Sequence, residues 1–178
     1  MVFSLQHFLT RNISLFRVFF VYLLYNDKVC KLMKDGEELY EYAVRIAAAA
    51  HSYQTDKGGH AYIAHPIRVS MKCKTIEAKI VALLHDVIEG TRVDADYLIE
   101  NGFPKEIVDI VLILTRKKGE QYSEYIDRIK LNPIAREVKI HDLEDNMDIK
   151  RLEKLDETDI KRLNKYLTAY RVLTNGNE

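Results

Sequence analysis

Two residues able to do chemistry stand inside an otherwise apolar run. From Ile80 to Thr91 the chain reads Ile-Val-Ala-Leu-Leu-His-Asp-Val-Ile-Glu-Gly-Thr, with His85 and Asp86 at its middle. The run is apolar on every side of the helix it predicts, and such a helix is normally buried. An aspartate is almost never fully buried unless something pairs with it, because stripping water from a lone carboxylate is costly. A protein charge could receive these side chains, and so could a metal ion. Glu89 lies four residues after His85 and three after Asp86, so it is expected on much the same face. One turn thus offers an imidazole and two carboxylates, a donor set suited to a hard or borderline cation.

Two further places can contribute. His65 opens a short helix after a glycine-bearing loop, with Pro66 taken as the first helical position. Asp142 shares a helical stripe with Asn146 and Ile149, with apolar Val138 alongside. Together His65, His85, Asp86 and Asp142 form a candidate ligand set without cysteine, which favours Mn²⁺, Fe²⁺ or Zn²⁺ over a thiolate site. Four protein ligands on an ion that accepts six leave room for water and substrate, and such an ion acidifies water and polarises a phosphoryl oxygen. Glu89 is then placed to shuttle a proton. Bland readings stand beside these. A His-Asp neighbour pair in a helix is usually structural, His65-Pro66 can be a simple helix start, and Asp142 can be half of a salt bridge with Lys139.

Positioning these residues takes a chain of helices. Leu39, Ala43, Ile46, Ala47 and Ala50 recur at helical spacing from Gly36 to His51, and Gln54 to Gly59 then break the pattern. Thr75 can cap the helix that carries Ile76, Ile80, Leu83, Leu84 and Val87. Asp94 to Glu100, a helix opened by Pro104, another around Tyr122 to Ile129, a long one from Asn132-Pro133 through Arg151, and a last one lined by Ile160, Leu163, Leu167 and Tyr170 complete the set. No period-two alternation is present, so the fold class is all-α, with seven or eight helices in one domain.

The 178 residues suit a single domain with a proper core. Basic and acidic residues balance at 27 each, which gives no general pull toward nucleic acid or anionic lipid. Cys30 and Cys73 fit no zinc or redox spacing and read as free thiols in a reducing compartment, most simply the cytoplasm. Leu15 to Tyr25 is strongly apolar, but it carries Arg17 and falls short of the roughly 20 residues a spanning helix needs. We read residues 1–32 as an apolar extension ahead of a domain at 33–178, with Met33 as an alternative start. Association with a membrane interface is the lesser reading.

The motifs also carry a resemblance. Gln54…Lys57…Gly59…Tyr62-Ile63-Ala64-His65-Pro66, then Leu84-His85-Asp86-Val87-Ile88-Glu89-Gly90-Thr91, then Val138-Lys139-Ile140-His141-Asp142-Leu143-Glu144-Asp145-Asn146-Met147 resembles the HD superfamily of metal-dependent phosphohydrolases. Within it the chain is similar to the hydrolase domain of RelA/SpoT-type alarmone enzymes and their small stand-alone relatives, from about Leu39 to Tyr170. The resemblance implies His65, His85, Asp86 and Asp142 as ligands of Mn²⁺, and a part for Glu89 in activating the attacking water. It also implies nucleotide contacts from Lys57 and Asn146. The implied reaction removes the 3′-pyrophosphate of guanosine tetra- or pentaphosphate to give GDP or GTP. Two positions depart from the pattern. The loop's Arg-Lys reads Asp56-Lys57, and Glu-Asp-Thr reads Glu89-Gly90-Thr91. They keep two alternatives open: a phosphatase for another nucleotide such as a dNTP or NADPH, or a weakly active nucleotide-binding sensor.

Overall fold

The helix that leads into the His-Asp pair is the one the others surround. In the computed structural model, which describes residues 35–152 and 154–175, Ile76–Leu84 packs against the helices Gly36–Ala50, Ala64–Lys72, Lys105–Leu114 and Pro133–Asn146. In chain order the helices are α1 (Gly36–Ala50), α2 (Ala64–Lys72), α3 (Ile76–Leu84), the single turn α4 (Val87–Gly90), α5 (Ala95–Glu100), α6 (Lys105–Leu114), α7 (Tyr122–Lys130), α8 (Pro133–Asn146) and α9 (Glu157–Thr174), with a 3₁₀ turn at Ile149–Arg151. Eight of these have six residues or more, and the described residues contain no strand beyond an isolated bridge between Thr55 and Ala61. The all-α expectation is met. The apolar extension proposed for residues 1–32, with Cys30, lies outside the described residues.

Local signals start most helices where expected. Asp35, Thr75, Asp94, Asn132 and Asp156 each accept a hydrogen bond from the backbone N–H three residues on, which satisfies an otherwise orphaned donor. Ile80, Val81, Leu83 and Leu84 of α3 are essentially without solvent contact, each stabilising the fold by roughly 1.5–3 kcal/mol relative to exposure. Across from them Val108, Val111, Ile129, Val138 and Leu143 close the core.

Four expectations need correction. The buried helix is not continuous: α3 ends at Leu84, and His85 and Asp86 form the joint before α4. The cause is the His85 side chain, whose Nδ1 takes the Ala82 carbonyl at 2.6 Å. An unbroken helix would give that carbonyl to the N–H of Asp86. Helix α2 begins at Ala64 rather than at Pro66, because the N–H groups of Ala64 and His65 already bond back to Ala61 and Tyr62. Helix α8 stops at Asn146, where the Arg151 guanidinium donates to the Asp145 carbonyl. In α9 the stripe read as core is largely solvent-facing, with Ile160 51% and Leu167 39% exposed; Asp159, Ala169 and Leu173 are the buried residues.

Candidate metal centre

Two helices and one joint bring the candidate ligands together. His65 comes from the first turn of α2, His85 and Asp86 from the α3–α4 joint, and Asp142 from the last turns of α8. Ligand atoms of His65, His85 and Asp142 all lie within 4.8 Å of one another, and all three residues are buried. Asp142 Oδ1 is 3.1 Å from His65 Nε2 and 3.6 Å from His85 Nε2. Asp86 completes the group from the solvent side: its Oδ2 lies 3.2 Å from His85 Nε2 and 3.7 Å from His65 Nε2, and its side chain is 29% exposed.

The protons on both rings are assigned by their outer partners. His65 Nδ1 lies 2.7 Å from Asp145 Oδ2, and His85 Nδ1 lies 2.6 Å from the Ala82 carbonyl. A carboxylate and a carbonyl only accept, so each neutral ring carries its hydrogen on Nδ1 and presents a lone pair at Nε2. Both Nε2 atoms are buried and make no hydrogen bond. Two lone pairs thus face two carboxylates with nothing positive between them, an arrangement that calls for a cation. A divalent ion answers that need, and imidazole nitrogens tied back through Nδ1 to an outer acceptor are the usual preparation for one. Protons answer it in the ion's absence. Burial alone would lower the pKa of both histidines, but Asp142 and Asp145 hold His65 above its ordinary value, and Asp86 and Asp142 hold His85 well above.

Three cations steady the carboxylates from outside. Lys139 donates to Asp142 Oδ2 at 2.7 Å and lies 5.2 Å from the centre of the Tyr125 ring. Burial alone would raise the Asp142 carboxyl, but Lys139 and the two histidines hold it well below the usual carboxylate range. The salt bridge that the sequence offered as an alternative to ligation is therefore present together with the cluster, each using a different oxygen. Arg68 grips Asp145 through two bonds of 2.7 and 2.9 Å, and Arg151 lies 3.3 Å from the same carboxylate. Asp145 is a residue that sequence reasoning passed over. Its signal was the three-residue spacing from Asp142, which puts both on one face of α8.

The remaining candidates are distributed around two cavities that share Tyr62 as a wall. Tyr62 donates its hydroxyl to Asp86 Oδ2. One cavity, about 250 Å³, is lined by Tyr62 and Asp86 together with His51, Gln54, Glu89 and Gly90. Glu89 is exposed rather than buried with the other acids, and its Oε2 accepts from the Arg116 N–H at 2.9 Å. The other cavity, about 240 Å³, is bordered by Asp56, Lys57, Asn146, Asp148, Arg151 and Arg162 among others. Here Asn146 donates to Asp142 Oδ1 at 2.5 Å, Lys57 pairs with Asp159 at 2.6 Å, and Asp56 pairs with Arg151 at 3.1 Å. The acid at position 56 therefore does not leave that wall without cations. Gly58 makes the close approach possible: a Cβ there would stand 2.8 Å from the Arg151 carbonyl. His141 bonds Glu144 instead of joining the cluster, and His60 is an exposed loop residue beside Asp56. Among the described residues no helix is long and apolar enough to cross a membrane.

Comparison with known proteins bears on the fold. No family model matches the chain. The guanosine-3′,5′-bis(diphosphate) 3′-pyrophosphohydrolase of Borreliella burgdorferi is 36% identical over 73 residues, 39% of this chain. The matched stretch is 11% of that enzyme, so the chain spans only a small part of its relative's length. A solved structure described as a metazoan ortholog of SpoT that hydrolyzes ppGpp superposes with a TM-score of 0.65 at 20% identity, over 79% of this chain and 87% of that one. The resemblance drawn from the motifs is borne out in the fold: the chain has the helical architecture of that SpoT-type protein.

Proposed function

We propose that the protein is a metal-dependent phosphohydrolase of phosphorylated nucleotides, and that its substrate is a guanosine 3′-diphosphate alarmone. The observation that carries the reading is the pair of unpartnered Nε2 lone pairs of His65 and His85 facing Asp142 and Asp86, within the fold of a protein that hydrolyzes ppGpp. His65, His85, Asp86 and Asp142 would hold one divalent ion. Oxygen and imidazole donors without a thiolate suit Mn²⁺ best, with Fe²⁺ and Zn²⁺ as alternatives. Such an ion supplies Lewis acidity toward a phosphoryl oxygen and toward water.

The chain's own residues supply the rest. Asn146 fixes Asp142 Oδ1 while Lys139 holds Oδ2, so the carboxylate is presented in one orientation. Glu89, anchored at Oε2 by the Arg116 N–H, takes up the proton released as water adds to phosphorus. Lys57, Arg151 and Arg162, each also paired with a carboxylate, are the cations of the second cavity that can meet a nucleotide's phosphates. In the overall reaction one water is consumed, the bond from the ribose 3′ oxygen to phosphorus breaks, and GDP or GTP leaves with pyrophosphate. Cytoplasmic action agrees with the unpaired, buried Cys73, whose thiol burial pushes up to about 12.

One observation favours a second reading, a phosphatase for another nucleotide: the Asp56–Arg151 pair alters the wall that would meet the base and its phosphates. The test offers Mn²⁺-loaded protein the guanosine tetraphosphate, dNTPs and NADPH, and measures pyrophosphate and phosphate separately. Pyrophosphate from the tetraphosphate is expected. Phosphate from another nucleotide instead would install the second reading, and tight binding without turnover would make the protein a sensor.

A further inference from the structure

The cavity shared by Asp86 and Glu89 has another polar wall, His51, which the chemistry described so far does not use. His51 is only 2% exposed, at the C-terminal end of α1. Its Nδ1 lies 2.9 Å from Gln54 Oε1, and Gln54 Nε2 donates to the Gly90 carbonyl at 2.9 Å. The chain of partners settles the ring's tautomer. The Gly90 carbonyl can only accept, so the amide nitrogen of Gln54 must face it and the amide oxygen must face His51. That oxygen also only accepts, so the hydrogen of His51 is on Nδ1 and a lone pair is on Nε2.

This Nε2 is buried and has no hydrogen-bond partner in the protein. Nearby are Asp86, His65 and His85, and the Tyr62 ring lies 4.9 Å away. Burial disfavours a charge on His51 and holds its pKa below the ordinary histidine value despite Gln54 and Asp86. The ring is therefore a neutral acceptor in a space that also holds two carboxylates. Gly90 keeps that space open: a Cβ added there would meet only the Cε1 of His51, at 3.9 Å, an ordinary contact. A buried acceptor beside a polar cavity of this size is suited to a water molecule.

We propose that His51 is a further catalytic residue, whose Nε2 accepts a hydrogen bond from the attacking water and so holds it between the imidazole and Glu89. This rests on the hydrolase reading above. The water has two hydrogens, and two acceptors on different walls of the cavity orient both. Both oxygen lone pairs then stay free, and one of them can point at phosphorus.

The test has two arms on the full chain. In the first, ¹⁵N-histidine NMR of the Zn²⁺-loaded protein at pH 7.5, with His51→Phe to assign the ring, is expected to show His51 neutral and protonated on Nδ1. A ring protonated on Nε2, or on both nitrogens, overturns the proposal. In the second, Mn²⁺-loaded His51→Phe is expected to lose about 100-fold in kcat toward the tetraphosphate, with KM and Mn²⁺ affinity within about threefold. Adding Gly90→Asp to that variant places a new acceptor in the same space and is expected to recover about tenfold. A kcat within threefold of wild type overturns the role of His51 alone, as does a loss that runs parallel to lost Mn²⁺ binding or that Gly90→Asp fails to relieve. A wild-type protein inert toward the nucleotide overturns the hydrolase reading and this role together.

Discussion

His65 donates its Nδ1 hydrogen to Asp145 at 2.7 Å across eighty residues of sequence, and Arg68 holds the same carboxylate from its other side. That contact decides which nitrogen of His65 looks inward. Asp145→Asn keeps the volume but offers the ring an amide that can donate, so the tautomer is no longer enforced. Mn²⁺ affinity is expected to fall about 10–100-fold, the usual cost of losing an outer partner of a metal-binding histidine. Titration followed by the free-ion EPR signal measures it, and an unchanged affinity would mean that Asp145 serves only Arg68 and Arg151.

Lys139 gives a test in stability. Its side chain is 13% exposed, and its ammonium faces Asp142 Oδ2 at 2.7 Å. Lys139→Met leaves a buried carboxylate without its cation, so the metal-free protein is expected to lose about 3–5 kcal/mol in urea unfolding. A bound divalent ion restores positive charge to the same carboxylate, so the deficit is expected to shrink when Mn²⁺ is present. A deficit of equal size with and without the ion would show that Lys139 and the ion do not share Asp142.

The two histidines set a pH dependence. Despite burial, Asp142 and Asp145 raise the folded-state pKa of His65, and Asp86 and Asp142 raise that of His85, above the ordinary 6.5. A raised pKa means that the folded protein holds protons more tightly than the unfolded chain. The resulting stability is complete below about 6.5 and is lost as pH rises through the folded values. Metal binding must displace those protons, so it strengthens over the same interval. The melting temperature of the metal-free protein is expected to fall from pH 6 to pH 9, and the gap to the Mn²⁺-loaded protein to widen. A gap that is constant with pH would remove the histidines from the ion's ligands.

The loop and the last helix predict a separation of binding from chemistry. Lys57 is half-exposed and pairs with Asp159 on α9. Its surface pairing contributes little to stability, within about 1 kcal/mol. Lys57→Ala is therefore expected to melt near wild type yet to raise KM for the nucleotide about tenfold, close to 1.4 kcal/mol of lost binding. Equal losses in KM and kcat would instead place Lys57 on the reacting phosphate.

Much of this arrangement was legible in the residues because the cluster breaks a hydrophobic rule. His85 and Asp86 in an apolar run demand partners, and the structure supplies them in His65 and Asp142. Caps such as Asp35, Thr75 and Asn132 announce helix starts through their own short side chains. The failures share a different cause, which is that particular side-chain hydrogen bonds and ion pairs overrule local periodicity. His85 ends α3 by taking a backbone acceptor, and Arg151 helps to end α8 by bonding the Asp145 carbonyl. On α9 the inward residues include Asp159, which pairs with Lys57 and Arg162, so the apolar stripe marks the wrong face. Asp145 was hidden for the same reason, since its value depends on a histidine in another helix.

The account stands on one ion held by residues from α2, α8 and the α3–α4 joint, and equilibrium Mn²⁺ binding tests this most directly. Wild-type protein and the variants His85→Ala and Asp86→Ala would be titrated, with the bound ion examined by pulsed EPR for coupling to imidazole nitrogen. The expected result is one tight ion per wild-type chain with nitrogen from two histidines, and loss of that site in both variants together with pyrophosphate release. An ion bound equally well by all three proteins, or one with no histidine nitrogen around it, would contradict the account.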